Sequence, residues 1–157
     1  MIKTCLSLLT AALLSSAALA GPLDTARFTD LSGRSASLTP YRGKVTVVNF
    51  WATWCTPCRE EMPMMQSLRD RFAGRGLEVV GIALDNPAEV KTFLRLFHIR
   101  YPVLMGDADT LETMKALGNP AGGLPYTLIL DRSGKPVGKL LGKLSEKTLT
   151  QAVEPLL

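Results

Sequence analysis

The strongest pattern along the chain is a change of hydrophobic period around residue 55. Val45-Thr46-Val47-Val48-Asn49-Phe50-Trp51 is rich in β-branched and aromatic residues and apolar almost throughout, as expected for a strand covered on both faces. It predicts a central strand. Beyond Cys55, Met62, Met65, Leu68 and Phe72 recur at near-helical spacing until Gly74 and Gly76 stop the pattern, and Pro63 inside it predicts a kink. Leu77 to Leu84 reads as the next buried strand, so strand, helix and strand form a crossover unit that favours parallel pairing.

On the N-terminal side, β-like pieces at Phe28 to Leu31 and Ser35 to Leu38 flank Ser32-Gly33-Arg34, which predicts a hairpin. On the C-terminal side, Asn86-Pro87-Ala88-Glu89 is a helix opening: Asn86 caps, Pro87 suits the first helical position, and Glu89 stands where a reciprocal cap is made. Val90, Phe93, Leu94 and Phe97 supply its apolar stripe. A short strand at Val103 to Met105 and a short helix near Thr110 to Leu117 follow, then a strand at Tyr126 to Leu130. Asp131-Arg132-Ser133-Gly134 turns the chain into a last strand around Pro136 to Leu141, and a helix starting near Ser145 carries Leu149, Ala152, Val153 and Leu156 on one side. The whole predicts one α/β domain over residues 21–157: a mixed central sheet flanked by helices, with an N-terminal β-hairpin extension.

The first twenty residues are set apart from that domain. Lys3 precedes an almost uncharged apolar stretch from about Leu6 to Ala18, and Ala18-Leu19-Ala20 is a small-residue cleavage signal. The expectation is a signal peptide cut before Gly21 and export. An uncleaved membrane anchor is the competing reading, weakened by Ser7, Thr10, Ser15 and Ser16. Cys5 lies before the apolar stretch, where a lipid-bearing cysteine is not expected, and leaves with the signal. The formal net charge is +4 without any run of Lys or Arg, which argues against nucleic acid as a partner.

Export leaves Cys55 and Cys58, spaced Cys-Thr-Pro-Cys, in a compartment where disulfides persist. Their place at a strand-to-helix junction gives a reason for reactivity. Unpaired N–H groups and the positive end of the helix dipole stabilise a Cys55 thiolate, so Cys55 is the expected exposed nucleophile. Cys58, one turn deeper, is the expected resolving thiol. A structural disulfide or half of a zinc site are the other readings of this spacing, but zinc needs two further ligands and the mature chain offers only His98 from the usual set. No metal and no cofactor is called for.

Val48-Asn49-Phe50-Trp51-Ala52-Thr53-Trp54-Cys55-Thr56-Pro57-Cys58-Arg59-Glu60-Glu61-Met62-Pro63, together with Gly123-Leu124-Pro125-Tyr126-Thr127, resembles the thioredoxin superfamily. The resemblance is closest to its exported disulfide-reductase branch, the TlpA/ResA-like proteins, and covers nearly the whole chain after the signal. It implies a thioredoxin-like fold and a cis peptide bond before Pro125 beside the cysteine pair. It also implies that Leu124 offers main-chain hydrogen bonds to an extended substrate, with Trp54, Thr56 and Pro57 on the substrate surface. Asn49 stands where general thioredoxins carry a buried aspartate, and the branch points instead to Asp85 as a carboxylate assisting proton transfer at Cys58.

The same resemblance implies a periplasmic reductase of exported proteins, with the haem-binding cysteines of apocytochromes c or a copper-delivery protein as substrate classes and a membrane-embedded thiol transporter as electron donor. The rivals are a dithiol oxidase, which usually carries a large helical insertion, and a peroxidase, which needs threonine where this chain has Ala52. A non-catalytic copper-binding or redox-sensing module is the reading from outside the enzymes. Trp51 is expected to be partly buried in the sheet, Met62, Met64 and Met65 to pack rather than bind copper, and His98 to end a helix.

Overall fold

The structure is a computed structural model and describes residues 21–157; the expected signal segment, with Cys5, lies outside the described residues. Five helices and seven strands follow one another as α1 (Pro22–Thr25), β1 (Phe28–Thr29), β2 (Ser35–Ala36), β3 (Val45–Trp51), α2 (Thr56–Phe72), β4 (Leu77–Ala83), α3 (Pro87–Leu96), β5 (Val103–Gly106), α4 (Thr110–Ala116), β6 (Tyr126–Leu130), β7 (Pro136–Leu141) and α5 (Glu146–Val153). The strands form one sheet in the order β2-β1-β5-β4-β3-β6-β7. β3, β4 and β5 run parallel, while β6 pairs antiparallel with both β3 and β7. β3 is the central strand that its sequence predicts, every residue of it buried.

The predicted hairpin is present but shorter than its hydrophobic pattern, two residues in each strand, and β1 also pairs antiparallel with β5, so the hairpin extends the sheet edge. α1 is an addition that the pattern did not reveal. The crossovers from β3 through α2 to β4, and on through α3 to β5, proceed in one direction along the sheet and place both helices on the same face. There Met62, Met65, Leu68 and Phe72 of α2, Val90 and Phe93 of α3, and Leu149 and Val153 of α5 cover Val45, Val47, Trp51, Val79 and Ile129. The other face, Val48, Phe50, Val80, Ile82 and Leu128, lies under Leu23 of α1 and Met114 of α4.

α2 contains Pro63 and continues to Phe72, the chain then tightening to a left-handed Gly76 at φ 91°. Two local expectations change. Asn86 does cap α3, accepting from Ala88 N–H at 2.8 Å, but the reciprocal bond is not made by Glu89: the Asn86 N–H donates to Asp85 Oδ1 at 2.6 Å. The apolar stripe of α3 is also narrower than expected, because Phe97 lies beyond the helix and is 42% exposed, stacked on Phe93 at 4.4 Å.

Candidate active site

The site is built where β3 ends and α2 begins. The Cys55 N–H donates to Ala52 O at 3.1 Å, turning the chain sharply, and Cys55 becomes the N-cap residue of α2 with extended backbone. Asp85, just past β4, holds this turn from the neighbouring strand. Its Oδ2 accepts from the Thr53 N–H at 2.8 Å and from the Thr53 hydroxyl, and Leu84 N–H reaches Trp51 O at 2.9 Å. Cys55 and Cys58 are joined in a disulfide, S–S 2.05 Å and Cα–Cα 5.3 Å. Cys58 is fully buried, as its deeper position requires. Cys55 is 6% exposed, less open than its predicted role as the exposed thiol: Ala52 and the first turn of α2 close around it, and Trp54, 70% exposed, is the side chain that stands out from the turn.

One turn beyond Cys58, on the same inward face of α2, lies Glu61, only 1% exposed. Its Oε1 accepts from Asn49 Nδ2 at 2.9 Å, and its Oε2 accepts from the Leu144 N–H at 2.9 Å. Asn49 Nδ2 also donates to Thr127 Oγ1 at 3.0 Å, so β3 and β6 share the carboxylate's support. Burial pushes the Glu61 carboxyl up to about 6; the Leu144 N–H, the Asn49 amide and the charge of Lys143 each pull it back down without cancelling the effect. Nearby Tyr101 is buried, its hydroxyl without a hydrogen-bond partner among the described residues, and burial together with the Glu61 charge raises its phenol above the ordinary range.

Asp85 is a different kind of carboxylate. Partial burial works against its charge, but the Thr53 hydroxyl and the N–H groups of Asn86 and Thr53 outweigh this and hold it below the usual carboxylate range. Leu124 packs against the cluster that contains both cysteines, and the Leu124–Pro125 peptide is cis. Pro125 O accepts from the Gly142 N–H at 2.9 Å. Thr56 is exposed and Pro57 half-buried at the start of α2, beside Trp54. Leu111 folds over Gly122, and a Cβ on Gly123 would meet Leu141 at 3.4 Å; Leu141 is 63% and Leu111 40% exposed. The turn at 122–124 is thus edged by apolar side chains that no sequence spacing joined to it.

The pattern of strands, helices and cysteine turn has close counterparts. Residues 21–139 match the AhpC/TSA family. The chain belongs to that thioredoxin-like family. The thiol-disulfide oxidoreductase ResA of Geobacillus thermodenitrificans is 34% identical over 128 residues, which cover 81% of this chain and 71% of the relative. A thiol:disulfide interchange protein of the thioredoxin family from Chlorobium tepidum superposes with a TM-score of 0.73 at 31% identity, over 88% of this chain and 99% of the other. A secreted thiol-disulfide isomerase from Corynebacterium glutamicum superposes at 0.74 with 25% identity, over 83% and 81%. This family member is therefore a thiol-disulfide oxidoreductase with a thioredoxin-like fold.

Glu61 is the site residue that sequence reasoning passed over. Its signal was present: positions 58, 61, 62, 65 and 68 form one inward stripe, and an acidic residue in such a stripe is buried. Trp51 is fully buried, deeper than expected, in a slot opened by Gly81 on β4, where a Cβ would stand 2.9 Å from Trp51 Nε1. Met62 and Met65 are buried in the core and Met64 packs against it, and His98 ends α3 in a left-handed conformation with φ 54°. Among the described residues no group of three or more His, Cys, Asp or Glu side chains could hold a metal ion.

Proposed function

We propose that the protein reduces disulfides of exported proteins in the periplasm, with Cys55 as the attacking sulfur, Cys58 as the resolving one and Glu61 as the acceptor of the Cys58 proton. The observation that carries this reading is a redox disulfide at a helix N-terminus with a buried, incompletely compensated carboxylate one turn below it. In the dithiol form, the first turn of α2 stabilises a Cys55 thiolate. That thiolate attacks one sulfur of a substrate disulfide; the substrate S–S bond breaks, and the departing sulfur takes the electron pair and then a proton. Cys58 next gives its proton to Glu61 and attacks Cys55 Sγ. The mixed disulfide breaks, the second substrate sulfur leaves with the electron pair and is protonated, and the Cys55–Cys58 disulfide forms.

A base titrating near 6 suits this step, since it is ionised at neutral pH yet basic enough to take a thiol proton. Asp85, occupied by three donors and held more acidic, serves the reaction by fixing Thr53 and hence the turn that presents Cys55. Substrate lies as an extended segment along Leu124 and Pro125, flanked by Trp54, Thr56 and Pro57, with Leu111 and Leu141 adding an apolar rim. Restoring the dithiol takes two electrons, for which a membrane-embedded thiol protein is the donor. The reductive direction is favoured over a dithiol oxidase by the short stretch between α3 and Pro125, which holds only β5 and the seven-residue α4. Apocytochromes c and copper-delivery proteins are the substrate classes that the family resemblance suggests.

Reduction of insulin, with trapping of partners, tests the reading. Cys55→Ser is expected to lose turnover, and Cys58→Ser to accumulate mixed disulfides with exported proteins. Stoichiometric copper binding without turnover would instead assign the cysteine pair to a metal carrier.

A further inference from the structure

The connection from β7 to α5 is fastened to the site at three successive residues. The Gly142 N–H donates to Pro125 O at 2.9 Å, Lys143 Nζ pairs with a Glu60 carboxylate oxygen, and the Leu144 N–H donates to Glu61 Oε2 at 2.9 Å. Leu144 is buried, while the Lys143 side chain is 51% exposed. This arrangement is not needed to hold α5, which has its own cap at Ser145, accepting from Thr148 N–H at 3.1 Å, and its own buried residues Leu149 and Val153. Glu60 and Glu61 are chain neighbours on α2, one exposed and one buried, and Lys143 and Leu144 meet them in the same order. The Lys143 ammonium is thereby held one residue from the N–H that Glu61 accepts, its place set by the Leu144 backbone on one side and by Glu60 on the other.

We propose that Lys143, paired with Glu60 and adjacent to the Leu144 N–H that Glu61 accepts, is a positioning residue for the exchange reaction: its ammonium favours the charged form of Glu61 that takes the Cys58 proton in the resolving step. This rests on the reading of Glu61 given above. The groups facing Glu61 are few. β3 contributes the Asn49 amide, β6 the neutral Thr127 behind it, the segment before β5 the neutral Tyr101 phenol, and the β7–α5 turn Lys143 and the Leu144 N–H, while Cys58 lies one turn earlier among the buried residues of α2. Lys143 is the one cation among them, and the direction of its influence on the Glu61 carboxyl is downward. No covalent step is added: the cation alters how readily Glu61 holds the proton, and the sulfur chemistry is unchanged.

The test is single-turnover reduction of insulin by the pre-reduced full-length protein, followed across pH for the wild type, Lys143→Gln, Lys143→Glu, the charge swap E60K/K143E, and Glu61→Gln. The acid limb of the resolving rate is expected to move upward by about half a pH unit in Lys143→Gln and about twice as far in Lys143→Glu, a partly exposed charge being weakened by solvent. The swap separates the two possible roles of the lysine. If the cation acts on Glu61, the swapped protein keeps the displaced limb; if the pair only ties α2 to the turn, the swap restores the wild-type profile and overturns the proposal. An unmoved limb in both single variants overturns it as well. Glu61→Gln distinguishes the levels: a profile that changes in Glu61→Gln but not in the lysine variants removes Lys143 alone, whereas one unchanged in Glu61→Gln removes the Glu61 reading itself.

Discussion

Glu61 and Glu78 are both buried carboxylates within one domain, 1% and 4% exposed, and their surroundings drive them in opposite directions. Glu78, at the start of β4, pays for its burial with two cations: Arg69 Nε at 2.8 Å and Lys44 Nζ at 3.3 Å, besides the Val79 N–H at 3.0 Å. Burial alone would raise it, but Arg69, Val79 N–H and Lys44 together hold it below the usual range. Glu61 receives two neutral N–H donors and one cation at a distance, and stays raised at about 6. A buried acid with a charged partner in contact is a fixed structural ion, whereas one held by neutral donors remains able to exchange its proton near neutral pH.

The sharpest way to break this contrast is to remove Glu78. Glu78→Ala leaves partly buried Arg69 with only the longer Asp70 contact at 3.6 Å and is expected to cost about 3 kcal/mol of stability in chemical denaturation, with insulin turnover by the folded protein preserved. The counterpart at the site reverses the pattern. Glu61→Gln keeps the shape and the Leu144 contact, and is expected to slow resolution of the mixed disulfide roughly 100-fold at pH 7, an effect near 2.7 kcal/mol. A Glu61→Gln protein that resolves at the wild-type rate would make the two glutamates equivalent.

The pH dependence of stability sharpens the comparison, because its sign differs at the two sites. The Glu61 carboxyl rises from 4.5 to about 6 on folding, so the folded oxidised protein binds this proton more tightly than the unfolded chain. The contribution is present below pH 4.5 and is lost as pH climbs through about 6, a total of about 2 kcal/mol. Glu78 is lowered on folding, so its stabilisation is present above its ordinary value of 4.5 and disappears as pH falls through the folded one. Denaturation of the wild type, Glu61→Gln and Glu78→Gln from acid through neutral pH should therefore give difference curves of opposite slope, the Glu78 one below 4.5 and the Glu61 one between 4.5 and about 6. Two curves with the same slope would contradict the assignment.

Asp85 supplies the smallest effect on catalysis and a third case, a carboxylate committed to hydrogen bonds. Asp85→Asn retains an acceptor for Thr53 and is expected to lower insulin turnover less than about 10-fold, without moving the acid limb that Glu61 sets. A displaced limb would return the proton-accepting role to Asp85.

Much of this was legible in the order of residues. The strand at Val45–Trp51, the helix after Cys55 and the crossover to Leu77–Ala83 followed from period alone, because burial on one or both faces imposes that period. Cys55, Cys58 and the Leu124-Pro125 turn were recognisable through their motifs. The ends of elements were less so. The hairpin strands shrank and Phe97 fell outside α3, since a free edge and a helix C-terminus are set by neighbours that local patterning does not contain. At that terminus His98 takes the left-handed position, where the Ile99 N–H reaches Leu94 O at 2.9 Å.

The chain alone determined that two cysteines would meet at the start of a helix leaving a buried strand, because spacing within one short segment and the turn preferences of that segment suffice for it. It could not determine that Glu61 would be a titrating group and Glu78 a fixed ion. Both are acids at inward positions, and the difference lies in what arrives from elsewhere: Asn49 and Leu144 at one, Arg69 and Lys44 at the other. Proton affinity depends on the field of groups distant in sequence, and only the assembled sheet and helices bring those groups together.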